Sequence, residues 1–180
     1  FAPHMTEELN KELGNSEDLA YTKWPEYDEE KTIDDIKLDW IRMAHEKYLT
    51  EIKAKPGAKE FIRFLKEKGI KMGCATSNDR NLAMAALQPH GWLDKMDSVR
   101  TACEVNAGKP APDIYLYACN ELGIDPENVY AVEDSPNGVL SAFRAGCKVI
   151  MVPNQTQPDE DLSKCLYAKA DTLLDLKELV

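Results

Sequence analysis

The chain has 180 residues, 43% of them hydrophobic and 30% charged, which is the composition of a globular domain and not of a disordered tail. Its formal net charge of −10 argues against nucleic acid as a partner, because a phosphate backbone selects basic surfaces. No apolar run reaches membrane-spanning length, and five cysteines without a CxxC pair favour a reducing, cytoplasmic setting.

The first 52 residues read as helical and polar, with no strand pattern. A short helix is expected over residues 6–13. Thr32 and Asp35 have the spacing of a capping box, in which a hydroxyl and a carboxylate satisfy the first backbone N–H groups of a helix. This pattern predicts a second helix that runs to about Glu51.

From residue 53 onward, short apolar runs alternate with helical patterns, which indicates βα units and a parallel sheet. Strands are predicted at 70–75, 98–101, 129–132, 147–152 and 168–170. Helices are predicted at 56–69, 79–87, 112–123, 135–146 and 173–179, and residues 155–161 are expected to form a surface loop. The predicted fold class is α/β, a Rossmann-like parallel sheet with helices on both faces and a small helical cap at the N-terminus.

Polar side chains collect at the predicted carboxyl ends of the strands and in one loop between them: Thr76, Ser77, Asn78, Lys109, Glu133 and Asp134. Ligands of open parallel sheets bind beyond these strand ends. A hydroxyl and neighbouring N–H groups can hold phosphate oxygens, a lysine can offset phosphoryl charge, and a carboxylate can bind Mg²⁺. The set therefore predicts a magnesium-assisted phosphoryl-transfer site.

Taken singly, each of these segments has a simpler explanation. Residues 76–78 and 133–135 both precede predicted helices, where short polar side chains commonly act as N-caps. A lone lysine such as Lys109 is commonly a surface residue. The order, the spacing and the shared position at strand ends are what indicate a site.

Three of these segments resemble sequence motifs of the haloacid dehalogenase (HAD) superfamily, subfamily I, which includes β-phosphoglucomutase and many small-molecule phosphatases. Residues 70–78, IKMGCATSN, resemble the second motif of the family. Residues 108–115, GKPAPDIY, are similar to the third motif, and residues 132–138, VEDSPNG, resemble the fourth. Lys55-Pro56-Gly57 also resembles the point at which the family's chain re-enters the core from the cap.

The resemblance implies a role for each matching residue. Thr76 and Lys109 would be catalytic, and together with Ser77 and Asn78 they would bind the substrate phosphate. Asp134 would bind Mg²⁺, with Glu133 as its acidic neighbour in the metal site. The substrate would be a small phosphorylated metabolite, and the protein a monomer or a weak dimer.

The family's first motif, an apolar strand that ends in DxDx[TV], has no counterpart here. Its first aspartate is the nucleophile that becomes an aspartyl-phosphate, and its strand lies at the centre of the sheet. We therefore expect residues 1–52 to be a partial helical cap, and residues 53–180 to be a core that lacks its first strand.

Two functions follow from this pattern. The first is Mg²⁺-dependent phosphoryl transfer, by a phosphatase or a sugar-phosphate mutase, with the nucleophile supplied from outside these 180 residues. These residues alone are then expected to be inactive. The alternative is a non-catalytic HAD-like remnant that binds phosphate or a protein.

Overall fold

The structure, a computed structural model, describes residues 53–179 and a few positions of the N-terminal part: Thr32, Asp35, Leu38, Asp39, Arg42, Met43 and Glu46. The chain divides into two compact units, Phe1–Lys53 and Ala54–Val180. The helix predicted over residues 6–13 lies outside the described residues.

The capping box predicted in the first unit is confirmed. The Thr32 backbone N–H donates to Asp35 Oδ2 at 2.9 Å, and the Asp35 N–H donates to Thr32 Oγ1 at 3.2 Å. These two bonds satisfy N–H groups that have no partner inside the helix. All the described residues from Asp35 to Glu46 are helical, and the predicted end of this helix near Glu51 lies outside the described residues.

The second unit alternates helices and strands along the chain, as predicted. Its helices are α1 (Ala58–Glu67), α2 (Arg80–Leu87), α3 (Asp113–Leu122), α4 (Pro136–Ala145) and α5 (Glu160–Ser163). Its strands are β1 (Gly73–Thr76), β2 (Ser98–Thr101), β3 (Tyr130–Glu133), β4 (Lys148–Met151) and β5 (Ala168–Lys169). Single 3₁₀ turns connect several of these elements: Gln88–His90, Leu93–Lys95, Ala102–Glu104 and Pro126–Asn128.

The strands form two parallel sheets. In the first, β1 pairs with β2, and Thr76 lies opposite Thr101. In the second, the order is β3-β4-β5, with Glu133 opposite Met151. Because all the strand pairs are parallel, the strands of each sheet have their carboxyl ends at the same edge. The polar residues that follow β1 and β3 therefore lie at that edge of their sheets.

The three-stranded sheet has a hydrophobic core on each face, because successive side chains of a strand point to opposite sides. Val149 and Met151 of β4 pack with α3 and α4, whereas Ile150 packs with Phe61 of α1 and with Leu176. All three β4 side chains are at most 1% exposed. Helices thus cover both faces of this sheet, which confirms the predicted fold class.

Residues 155–159 form the surface loop that was expected over 155–161. The last two residues of the expected range instead begin α5, which Asp159 Oδ1 caps by accepting the Leu162 N–H at 2.7 Å. The C-terminal helix expected at 173–179 is only a 3₁₀ turn, Asp175–Glu178. Among the described residues, no helix combines the length and the apolar character needed to cross a bilayer.

Candidate active site

Lys109 joins the carboxyl ends of the two sheets. Its ammonium donates to the Ala75 carbonyl of β1 at 3.1 Å and to Glu133 Oε1 of β3 at 2.5 Å. The Lys109 side chain is 11% exposed and the Glu133 side chain 7% exposed, so the ion pair is largely screened from water. The sequence placed these residues on three separate segments, and the structure brings them into direct contact.

The loop that carries Lys109 is fastened to α4. Ser141 Oγ, which is fully buried, donates to the Ala111 carbonyl at 2.6 Å. Arg144 donates to the Pro110 carbonyl at 2.8 Å. The Lys109–Pro110 peptide bond is cis. Helix α4 therefore holds the loop that positions Lys109. The sequence patterns had indicated a role for the motif at the N-terminus of this helix alone.

Glu133 has three hydrogen-bond donors around its carboxylate. Besides Lys109, the Tyr115 hydroxyl donates to Oε1, and the Asp134 backbone N–H lies 3.4 Å from Oε2. A buried carboxylate is costly unless it is paired and hydrogen-bonded, and this one is both. Its contacts hold it facing Lys109.

Tyr115 and Cys74 are neighbours of this pair that sequence reasoning missed. Burial raises the pKa of Tyr115 well above its ordinary value, and the charge of Glu133 adds to the effect, so the hydroxyl remains a donor. Burial also raises the pKa of the Cys74 thiol, against the opposing charge of Lys109. Tyr115 lies in the same GKPAPDIY segment as Lys109. Its closeness to Lys109 in the sequence could therefore have indicated that the two side chains meet.

Thr76, Ser77 and Asn78 occupy the turn between β1 and α2. The N-cap of α2 is Asp79, whose Oδ1 accepts the Leu82 N–H at 3.0 Å. Residues 76–78 are therefore not the helix cap. Thr76 Oγ1 accepts the Asn78 N–H at 3.2 Å, which turns the chain at the strand end, and Ser77 is exposed.

Asp134 lies directly after β3, and its carboxylate pairs with Lys55, which precedes α1. Its Oδ2 accepts from Lys55 Nζ at 2.7 Å, and the two side chains are 40% and 46% exposed. The cap of the following helix is Ser135, whose Oγ accepts the Gly138 N–H at 3.2 Å. Asp134 is thus not the cap of α4, and its carboxylate already pairs with a cationic group, the Lys55 ammonium.

The half-exposed carboxylate of Asp134 is compatible with Mg²⁺. In the described part of the chain, no three His, Cys, Asp or Glu side chains converge as a metal cluster. Mg²⁺ is commonly held by one or two carboxylates together with waters and substrate phosphate oxygens. Asp134, half-exposed at a strand end, fits such a ligand.

The chain matches known proteins over most of its length. The haloacid dehalogenase-like hydrolase family matches residues 4–146. Hexitol phosphatase A of Escherichia coli is 40% identical over 120 residues, which are 66% of this chain and 55% of that protein. The bifunctional riboflavin kinase/FMN phosphatase of Arabidopsis thaliana is 35% identical over 134 residues, 72% of this chain and 34% of that protein.

Solved structures agree with these sequence matches. The crystal structure of CbbY from Rhodobacter sphaeroides in complex with phosphate superposes with a TM-score of 0.72 at 26% identity, covering 86% of this chain and 70% of that one. The chain spans about half the length of the curated relatives it matches. Its fold and its sequence both place it in one family: the chain belongs to the haloacid dehalogenase-like hydrolases.

Proposed function

We propose that this protein catalyses Mg²⁺-dependent phosphoryl transfer on a small phosphorylated metabolite, as a phosphatase or as a sugar-phosphate mutase. The observation that carries the proposal is the position of Lys109, whose ammonium bridges Ala75 and Glu133 at the ends of β1 and β3. A fixed positive charge at this edge is suited to the developing charge of a transferring phosphoryl group. Named phosphatases among the relatives support the same reaction class.

The phosphoryl group would be held by Thr76, Ser77, Asn78 and Lys109. The Thr76 hydroxyl uses an oxygen lone pair for the Asn78 N–H, so its proton stays available for a phosphate oxygen. The backbone of exposed Ser77 lies at the same turn. Holding the group between these donors and Lys109 supplies positioning and electrostatic stabilisation, the main contributions in phosphoryl transfer.

Asp134 would hold the Mg²⁺ ion, which when bound would offset the charge of the phosphate oxygens. The sequence predicts Glu133 as a second metal ligand, and that stays a prediction. The contacts favour a different division of work, because Glu133 faces Lys109 and Tyr115 inside the protein. In this proposal Glu133 orients the lysine and Asp134 binds the ion.

The nucleophile would be an aspartate on a strand that is not among these 180 residues. Its carboxylate oxygen would attack phosphorus, and the metabolite's oxygen would leave as a hydroxyl by taking a proton from the second aspartate of the DxDx[TV] motif. Water or a sugar hydroxyl would then accept the phosphoryl group from the first aspartate and give its proton to the second. Within the described residues, β1 pairs with β2 and β3 pairs with β4, and no strand joins β1 to β3. The edge of β3 opposite β4 therefore has no strand partner among the described residues, as expected where a further strand belongs.

We also propose that residues 1–52 are part of a helical cap and that residues 53–180 are a core that lacks its central strand. The cap would decide between water and a sugar hydroxyl as acceptor. We further propose a cytoplasmic protein, monomeric or weakly dimeric, without nucleic-acid or membrane partners. The acidic net charge of −10 supports the exclusion of nucleic acid.

Two measurements test the proposed function. The coding sequence upstream of Phe1 is read for an apolar run that ends in DxDxT, and the longer product is screened against phosphorylated metabolites with and without Mg²⁺. Mg²⁺-dependent release of phosphate is the expected result. A start codon at Phe1 without such a run would favour the non-catalytic remnant, and turnover of an aryl phosphate by residues 1–180 alone would contradict an external nucleophile.

A further inference from the structure

Tyr115 contacts both members of the buried ion pair. Its hydroxyl donates to Glu133 Oε1, the same oxygen that accepts from Lys109. Its ring centroid lies 5.0 Å from Lys109 Nζ, within the range of a cation–π interaction. One side chain therefore holds the glutamate through a hydrogen bond and the lysine through its ring.

The position of Tyr115 is fixed by the backbone and by the core. Tyr115 lies in the first turn of α3, its N–H donates to the Pro112 carbonyl at 3.0 Å, and the side chain is 8% exposed. It packs in the cluster that contains Ile114, Val139 and Met151. Because the ring has little room to move, its hydroxyl offers Glu133 a fixed anchor.

Lys109 and Tyr115 both donate to Glu133 Oε1, and the Asp134 N–H lies near Oε2, so the carboxylate has little freedom to turn. Without the tyrosine hydroxyl, Oε1 would have Lys109 as its remaining donor and could move together with it. The second donor on this oxygen restrains that motion. Lysine has three N–H donors, of which the described contacts use two, those to Ala75 and Glu133. The direction of the third then depends on how well the carboxylate is fixed.

We propose that Tyr115 is a positioning residue: through Glu133 it fixes the Lys109 ammonium so that its remaining N–H faces the turn of residues 76–78, between β1 and α2. This inference rests on the proposed function. Tyr115 does not itself contact the phosphoryl group in this arrangement. Its removal is expected to weaken phosphate binding while leaving cation binding at Asp134 unchanged.

Tyr115→Phe is the decisive variant, since it keeps the ring and removes only the hydroxyl. Tyr117→Phe is its matched control, because Tyr117 lies two residues along α3 and its ring contacts Arg100, at 4.7 Å, and not the ion pair. Glu133→Gln tests whether the effect passes through Glu133. In that background, the Tyr115→Phe change is expected to have no further effect, as a double-mutant cycle would show.

Calorimetric titration with inorganic phosphate and spin-resonance titration with Mn²⁺ give the two affinities on the 180-residue chain. For Tyr115→Phe we expect phosphate affinity to fall roughly fivefold, the equivalent of one hydrogen bond, with Mn²⁺ affinity unchanged. A general loosening of the fold would lower both affinities. Unchanged phosphate affinity in Tyr115→Phe, or an equal loss in Tyr117→Phe, would overturn the proposal.

Proton exchange of the Lys109 ammonium, followed by NMR, separates this inference from the proposed function and does not need phosphate. We expect faster exchange with water in Tyr115→Phe than in the wild type or Tyr117→Phe. If the wild type binds no phosphate, the proposed function fails, and faster exchange still supports Tyr115 as the residue that positions Lys109. Unchanged exchange overturns the role of Tyr115 even where phosphate binds.

Discussion

Gly138 lies directly against the carboxylate of Glu133. A Cβ atom at Gly138 would stand 1.9 Å from Glu133 Oε2 and 2.1 Å from its Cδ, far inside van der Waals contact. The helix α4 can approach the end of β3 this closely only because residue 138 has no side chain. The Lys109–Glu133 ion pair therefore depends on the absence of a side chain at Gly138 as well as on the attraction between its two charges.

Gly138→Ala is expected to destabilise the protein, although alanine is the better helix former by about 1 kcal/mol. The added methyl group must push the Glu133 carboxylate away from Lys109, and such overpacking costs about 1–3 kcal/mol. Urea unfolding measures the free-energy change. Gly108→Ala is the control, since nothing lies within 4 Å of a Cβ there, and a Gly138→Ala variant as stable as Gly108→Ala would contradict the packing described.

Lys109→Met is expected to lower the free energy of unfolding by about 3 kcal/mol, because it leaves Glu133 as a buried charge without its cation. Adding Glu133→Gln in the same chain removes that charge and should restore part of the loss. The three variants and the wild type form a double-mutant cycle in urea unfolding. Simple additivity of the two single changes would mean that the pair is not coupled.

Lys55→Gln is expected to tighten Mn²⁺ or Mg²⁺ binding, because Lys55 Nζ now lies 2.7 Å from Asp134 Oδ2 and competes with a metal ion for it. Both side chains are substantially exposed, so the gain should be at most about fivefold. Lys59→Gln, an exposed lysine of α1, controls for the change in net charge. Asp134→Asn should abolish the binding, and weaker binding in Lys55→Gln would show that the lysine assists the site.

Thr76→Val keeps the shape of the side chain and removes the hydroxyl that accepts the Asn78 N–H. We expect inorganic phosphate to bind this variant between about twofold and tenfold more weakly, the range of one hydrogen bond. Thr76→Ser retains the hydroxyl and should bind as the wild type does. Equal affinities for all three proteins would remove Thr76 from the site.

Alkaline pH is expected to destabilise the fold through Cys147. Burial raises the pKa of the Cys147 thiol from 9.0 to about 12, and the neighbouring Cys119 adds to the shift. Because the folded state holds the proton more tightly, the stabilisation is complete below pH 9 and is lost as pH rises from 9 towards 12. Urea unfolding across this range should show a shallower loss in Cys147→Ala, and identical slopes would contradict the shift.

Most of the fold was readable from the sequence, because glycine and proline mark the element ends. Gly146, for example, adopts φ +91° directly after α4, which a residue with a side chain rarely does. The C-terminal 3₁₀ turn was predicted to be a longer helix because Leu173, Leu176 and Leu179 have the spacing of apolar residues on one helix face. That spacing instead serves packing, since these leucines line the core beside Phe61.

The site was only partly readable. The motif residues follow from their positions at strand ends, but the partners that orient them come from elsewhere in the chain. Gly138 and Tyr115 act through close packing, and Lys55 reaches Asp134 across 79 positions of sequence. Contacts of this kind depend on how the helices pack against the sheet. Local sequence patterns do not determine that packing.

The most direct test of the site is the mutual effect of inorganic phosphate and Mg²⁺ on one another's binding, measured by calorimetry on this chain. If Thr76 and Lys109 hold the phosphate beside an ion at Asp134, each ligand should tighten the other, and Asp134→Asn should abolish the coupling without abolishing phosphate binding. Phosphate that binds equally well to the wild type and to a Thr76→Val/Lys109→Met double variant would contradict the site proposed here.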